Sequence, residues 1–303
     1  MTNTLFHYFI FPGFLFLAIA GVLVSWIDRK ITAKVQWRQG PPLLQPAYDI
    51  IKLFMKETIV PAKSSVWLFM LAPAIALVSV ALAASYILLI AFQPASSFSG
   101  DIIFVLYLFT MLPLSAVLGA SSSGNPMASM GASREMKLVL SYELPLIISL
   151  LVPIFKAGTF SLGELVAYQQ THGSFASSLS GLIALVIALA CLHGKMGLVP
   201  FDASEAEQEI SGGSIIEYSG PLLGIWKFSK MIMLIAAPFF IAVVFWGNGN
   251  PVWLITKYLL LLTVSILLRN TNPRLRIDQI VKLFWGAVTV VSVLALALSA
   301  IGM

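Results

Sequence analysis

The sequence predicts an all-α integral membrane protein of about eight spans, with an amphipathic helix lying on the membrane after the first span. Three observations predict it. Of 303 residues, 59% are apolar and only 10% are charged, against about 25% charged in an ordinary soluble domain. Apolar stretches of about 17–27 residues recur with almost no charge, enough to cross roughly 30 Å of hydrocarbon at 1.5 Å per residue. Basic residues gather in alternate loops beside these stretches. The mean hydropathy is +0.93. A transmembrane β-barrel would need alternating strands of about 10 residues, and no such pattern is visible; the same composition excludes collagen, coiled coil and a disordered tail.

The spans read as residues 5–27, 66–92, 101–120, 138–155, 176–193, 222–246, 252–268 and 281–302. The first has no basic start and is long enough for a full crossing, so it is read as a span and not as a cleaved leader. All Lys and Arg except Lys156 and Lys257 fall on one side of this arrangement. By the positive-inside rule that side is cytoplasmic. Eight spans then place both termini outside, in a cytoplasmic (inner) membrane. The basic residues lie in short loops, which argues against nucleic acid as the partner of the net charge of +5. The whole of 1–303 reads as a single polytopic domain. No repeat pairs its halves, which weakens the usual secondary-transporter architecture.

The first cytoplasmic loop, 28–65, holds a break at Gly40-Pro41-Pro42. After it Leu43, Leu44, Ala47, Ile50, Ile51, Phe54 and Met55 recur at helical spacing, with Gln45, Tyr48, Asp49, Lys52 and Lys56 opposite. This pattern predicts an interfacial amphipathic helix, either a plain anchor or a shelf for a peripheral protein. Arg38 and Asp49 are then structural or docking groups.

Between spans three and four, Arg134 and Glu135 read as juxtamembrane charges. Glu143 is different, because Ser141-Tyr142-Glu143-Leu144-Pro145 lies inside an apolar run. A helix starting near Leu138 would put Glu143 about 7–8 Å deeper. Ionisable groups at such depth tend to be paired or functional; a proton relay, a structural hydrogen bond and a salt bridge to Lys137 are the readings. Pro145 loosens the helix just beyond it. His193-Gly194-Lys195 reads as a polar exit from the membrane.

The acidic cytoplasmic loop, 194–221, carries Asp202, Glu205, Glu207, Glu209 and Glu217. On a continuous helix Asp202, Glu205 and Glu209 would share a face, with Glu207 elsewhere. Clustered carboxylates near a low-dielectric region share protons, which suits a proton relay. Local helix capping explains one or two of the five. The lone Cys191 excludes an internal disulfide, and one thiol cannot hold an iron–sulfur cluster needing about four ligands. His7, His172 and His193 form no ligand spacing, so no metal or redox centre is expected in this chain.

These blocks carry a resemblance. Pro200-Phe201-Asp202, then Glu205-Ala206-Glu207 and Glu217-Tyr218-Ser219-Gly220, resemble the signature of the quinone-module-docking membrane subunit of respiratory complex I. They also resemble the equivalent subunit of energy-converting [NiFe] hydrogenases, including formate hydrogenlyase. Gly40-Pro41, Leu44-Gln45-Pro46 and Asp49-Ile50-Ile51-Lys52-Leu53 are similar to that family's first loop, and Ala132-Ser133-Arg134-Glu135 with Tyr142-Glu143 to a third block. The hydrogenase branch looks closer, because Gln39-Gly40-Pro41-Pro42 passes directly into Leu43-Leu44-Gln45 where the quinone branch usually has more residues and a second Gly-Pro. The resemblance implies a non-catalytic junction subunit of an oxidoreductase. Hydrogenase large and small subunits, with the [NiFe] centre and iron–sulfur clusters, would dock on its cytoplasmic side, beside antiporter-like membrane subunits that move protons or sodium. It implies a relay through Glu143, Asp202, Glu205, Glu207, Glu209 and Glu217, shaped by Arg134 and Glu135, with Arg38, Asp49 and Lys52 as docking groups. The alternatives are a quinone-site subunit, a stand-alone proton-coupled transporter and a purely structural anchor.

Overall fold

The structure, a computed structural model, describes residues 10–247 and 251–302. The start of the predicted first span, with His7, lies outside the described residues. Every regular element among the described residues is helical. The principal helices are α1 Phe14–Val35, α2 Gln45–Phe54, α3 Val66–Phe92, α4 Asp101–Ser122, α5 Pro126–Ala157, α6 Leu162–His172, α7 Leu179–Lys195, α8 Gly220–Trp246, α9 Pro251–Thr271 and α10 Ile277–Ala300. A helix stands at each of the eight predicted span positions. Six of these helices, α3, α4, α5, α8, α9 and α10, are long and apolar enough by themselves to cross a membrane. Helix α1 carries Asp28, Arg29, Lys30 and Lys34 in its last turns, and α7 has only 17 residues. The interfacial helix predicted after Gly40-Pro41-Pro42 is α2. Leu43, Leu44, Ile51, Phe54 and Met55 of its predicted apolar face are exposed, as a face laid on lipid would be. Leu53 instead turns inward and packs near Gly224 of α8.

Helix α8 runs through the middle of the bundle and is almost wholly buried, touching α1, α2, α3, α7 and α9. Its Trp226, Phe240 and Phe245 are among the largest fully buried side chains. By contrast, α9 and α10 leave most of their surface open. Two polar clamps tie remote helices. At one end Asp101 is fully buried and accepts from the Leu162 amide at 2.7 Å and the Tyr86 hydroxyl at 3.2 Å. One carboxylate therefore serves the N-termini of both α4 and α6, where helix dipoles favour negative charge. At the other end Arg269 of α9 pairs with Asp28 of α1 at 3.0 Å and donates to Thr32 at 2.8 Å. Asn270 also donates to Thr32, at 3.2 Å.

Three expectations change. Helix α5 begins at Pro126, not near Leu138, because the Asn125 side chain caps it by accepting from the Met127 amide and proline suits its first turn. Arg134 and Glu135 are therefore helical, and Glu143 lies about 25 Å along the axis from the helix start at Pro126. The connection between spans four and five holds an unanticipated helix, α6, capped by Ser161 accepting from the Glu164 amide. Third, the continuous acidic helix does not form. Residues 199–206 are non-helical and only Glu207–Ile210 makes a helical turn. Bonds from the Glu205 amide to the Asp202 carbonyl and from the Ser214 amide to the Ser204 carbonyl replace the helical ladder.

Candidate charge-relay site

The site begins with the shortness of α7. Seventeen residues span about 25 Å, less than the roughly 30 Å of hydrocarbon. Its last residue stops inside the bundle. His193 and Lys195 are 1% and 2% exposed, so they are not the polar exit the sequence suggests. An aromatic clasp holds this end. Gly194 would place a Cβ 3.3 Å from Tyr142, and Phe201 packs on both Phe284 of α10 and His193. The chain after α7 stays inside, with Phe201, Asp202, Ala203, Ser204 and Ala206 all buried. The first half of the predicted cytoplasmic loop is thus packed into the end of the bundle.

Backbone contact holds this loop there. A Cβ on Gly131 of α5 would lie 2.4 Å from the Ser214 amide nitrogen and 2.7 Å from the Gly213 carbonyl carbon. Arg134 straps the same segment, reaching Glu209 at 2.5 Å and the Ala203 carbonyl at 3.2 Å. Asn125 donates to Glu217, and the Tyr218 hydroxyl donates to the Phe69 carbonyl at 3.1 Å.

This placement aligns charges along the bundle interior. Lys195 Nζ lies 3.0 Å from Glu143 Oε2 and donates to Thr110 Oγ1 at 2.9 Å. Thr110 Oγ1 is in turn 2.9 Å from Glu143 Oε1. The Lys195 side chain is fully buried, and the Glu143 side chain is 24% exposed. Lys195 also faces the Tyr142 ring, 5.9 Å from its centre, within reach of a cation–π attraction. On its other side Lys195 shares a small cavity with Glu135, Glu205 and Lys230. Its volume is about 20 Å³, room for roughly one water. Glu135 is hydrogen-bonded by Ser204, and Glu205 by Lys230. Asp202 pairs with Arg274 at 3.0 Å. Past Glu143, a cavity of about 350 Å³ opens between α4 and α5, lined also by Tyr107, Thr110 and Ile147. Tyr107 is 66% exposed, so this cavity faces sideways, away from the bundle.

The structure thus gathers Glu143, Glu135 and Glu205, with Asp202 close in the chain. It does not place Asp202, Glu205 and Glu209 on one helical face; each meets its own cation, so mutual repulsion does not govern them. Glu143 pairs with Lys195 and not with Lys137. Glu207 is exposed at the start of its turn, and Glu217 serves the Asn125 contact. Arg38 and Lys52 are exposed, while Asp49 pairs with Arg29 at 2.6 Å and accepts from Gln45 at 2.9 Å. The partners Lys195, Lys230, Thr110 and Arg274 carried no signal of their own in the sequence. Among the described residues, no three His, Cys, Asp or Glu side chains converge as a metal site requires.

Charge balance differs between the two loops. Burial pushes the Asp202 carboxyl up, against the lowering effect of Arg274. It therefore takes up a proton at higher pH than a free aspartate. At Asp49 partial burial is outweighed by Arg29, Gln45 and Lys227, which hold the carboxyl below its ordinary value. Its contribution to the α1–α2 contact is present above the ordinary aspartate pKa and is lost as pH falls through the lowered one.

The sequence matches the NADH dehydrogenase family over residues 8–300. It is 30% identical over 297 residues to an NADH-quinone oxidoreductase subunit of Dehalococcoides mccartyi, covering 94% of this chain and 83% of that one. It is 34% identical over 298 residues to NADH-quinone oxidoreductase subunit 8 of Thermus thermophilus, covering 89% and 80%. Among solved structures, a chain of the membrane-bound sulfane sulfur reductase, an archaeal respiratory membrane complex, superimposes with a TM-score of 0.85 at 29% identity. That match covers 94% of this chain and 96% of the other.

Proposed function

The chain belongs to the NADH dehydrogenase family, as a multi-pass membrane subunit of a respiratory complex, and from that membership we propose that it joins a peripheral redox arm to ion movement in the membrane. The arm is of the hydrogenase type. Large and small subunits holding the [NiFe] centre and iron–sulfur clusters dock on the first loop around Arg38, Asp49 and Lys52. Antiporter-like subunits lie alongside in the membrane. The chain itself carries no redox group, and both termini face outward from the cytoplasmic membrane.

One observation carries the reading: Glu135, Lys195 and the Lys230–Glu205 pair line a single small cavity, and Lys195 pairs in turn with Glu143, which lines the side opening between α4 and α5. Two neighbouring carboxylates, Glu205 and Glu135, stand between Lys230 and Lys195 around the cavity, and Glu143 follows Lys195. A proton arriving at Glu205 or Glu135 weakens their hold on Lys195 and Lys230. Lys195 then leans more fully on Glu143, and the disturbance reaches the side opening. Two unit charges about 10 Å apart at an effective dielectric near 20 interact by about 1.7 kcal/mol, more than one pKa unit. Asp202, Glu207, Glu209 and Glu217 are the loop end of the relay, with Arg134 and Glu135 fixing its shape. Coupling begins when electron transfer in the docked arm shifts the charge around residues 199–220.

The direct passage from Gln39 to Gln45, without a second Gly-Pro, supports the hydrogenase branch. The quinone reading is favoured by the names of the two sequence relatives, both NADH-quinone oxidoreductase subunits. Purification through an affinity tag on this chain separates them. The expected result is co-purification of [NiFe] large and small subunits with hydrogen-dependent reduction of an electron carrier. A quinone-reducing module without a [NiFe] subunit would replace the hydrogenase assignment. Recovery of this chain alone, binding a small solute, would favour a stand-alone transporter.

A further inference from the structure

A groove between α5 and α10, outside the charge-relay site, has a chemistry of its own. Residues Lys137, Leu140 and Ser141 line one wall; Asp278, Val281, Lys282 and Trp285 line the other, around about 440 Å³. The spacing is that of two helix faces, i, i+3, i+4 on α5 and i, i+3, i+4, i+7 on α10. The groove grades along its length. Lys137, Asp278 and Lys282 sit at the end nearer the basic loops. Val281 lies between Asp278 and Lys282, and beyond them the walls turn apolar at Leu140 and Trp285. Helix α10 widens into a π-helical stretch at Leu283–Val288, and this sets Trp285 against α5. The Trp285 Nε1–H donates to the Leu140 carbonyl at 3.3 Å, pinning the indole across the gap. The ring is nevertheless 59% exposed and Leu140 57% exposed; Leu144, one turn deeper, is 48% exposed. The groove is therefore open sideways to whatever surrounds the bundle. Lys137 and Lys282 are both exposed and neither forms one of the ion pairs among the described residues.

We propose that this groove binds one phosphatidylglycerol molecule of the cytoplasmic leaflet. Charge complementarity and depth argue for that occupant. Two ammonium groups outnumber one carboxylate, so the polar end carries a net positive charge that suits a phosphodiester. Basic pockets between helices at the cytoplasmic face are the physical setting for anionic headgroups. Asp278 does not oppose such a lipid, because the headgroup glycerol hydroxyls donate to a carboxylate. Trp285 sits where amphipathic rings settle, at the boundary of headgroup and acyl chain, and the exposed Leu140 and Leu144 extend an apolar track for one chain. A site of this kind beside the π-helical stretch also braces Phe284, which packs on Phe201 at the loop end of the relay.

Quenching of Trp285 by brominated lipids tests it. The assembled complex is placed in nanodiscs of phosphatidylcholine containing a graded fraction of brominated phosphatidylglycerol or brominated phosphatidylcholine. The Trp285 signal is the difference between the native complex and Trp285→Phe. Brominated phosphatidylglycerol is expected to quench at roughly thirtyfold lower mole fraction, from two lysines each favouring anionic lipid by about 1 kcal/mol. The Lys137→Gln/Lys282→Gln variant is expected to lose that preference. Equal quenching by both lipids, a preference that survives the double variant, or stronger quenching by brominated phosphatidylethanolamine would each overturn the proposal. So would absence of quenching by any lipid, which would mean a protein subunit covers the groove. If the double variant does not assemble, salt decides: the preference is expected to collapse at high ionic strength, and persistence would overturn it.

Discussion

Replacing Lys195 by methionine is expected to lower the stability of the purified chain by about 3 kcal/mol, the low end of the range for orphaning one partner of a buried pair. The low end applies because the Glu143 side chain keeps 24% of its exposure. Methionine approximates the length of the lysine stem but leaves Glu143 with only Thr110 as a donor. The companion variant settles whether the effect is electrostatic. In Lys195→Met/Glu143→Gln no charge remains unpaired, so most of the lost stability returns, since neutral replacement of a buried ion pair is often tolerated. Thermal unfolding in detergent reads both. Additive losses in the double variant would mean that packing, and not the ion pair, governs this end of α7. Coupled ion movement should be lost in both variants, which separates stability from function.

The second large effect lies where the acidic loop is held against α5. Gly131→Val would drive a branched side chain into the backbone at Gly213 and Ser214, where even a Cβ would sit 2.4 Å from an amide nitrogen. Backbone cannot yield as a flexible side chain can, and overpacking of this kind costs roughly 1–3 kcal/mol or displaces the neighbour. The loop is expected to move, because residues 211–213 already use positive φ at Ser211, Gly212 and Gly213. Its displacement pulls Glu205 from Lys230 and Glu209 from Arg134. The measurement is protease accessibility of 199–216 in the assembled complex. Rapid cleavage is expected in Gly131→Val. The control is Gly286→Ala, where an added Cβ meets open space and native resistance is expected. Native resistance in Gly131→Val would show that the loop is held by its ion pairs alone.

Much of this architecture was legible in the sequence because hydrocarbon imposes a simple rule. Runs such as 66–92 and 222–246 have no other stable solution than a helix, and α3 and α8 follow those bounds closely. Glu143 stood out because a carboxylate in an apolar run demands an explanation. Its partner did not, since Lys195 is 52 residues away and ends α7 where a membrane exit is the ordinary reading. It is the 17-residue length of α7 in the structure that leaves Lys195 inside. The acidic loop misled for a related reason. Its spacing suits a helix locally, but the burial of Phe201, Ser204 and Ala206 fixes a path of turns that local propensity cannot reveal. The bond from the Leu162 amide to Asp101 depends on a helix, α6, that the polar residues of 156–175 do not announce.

The central claim is that the carboxylates between the loop and the side opening pass the redox event into ion movement. Its most direct test is the number of ions moved per electron pair in sealed vesicles bearing the assembled complex with Glu143→Gln. Glutamine keeps the shape and the Thr110 contact but cannot release a proton. The account predicts that the complex assembles, that electron transfer continues when the membrane is made leaky, and that the ion count per electron pair falls toward zero. An unchanged ion count at full electron-transfer rate would contradict it.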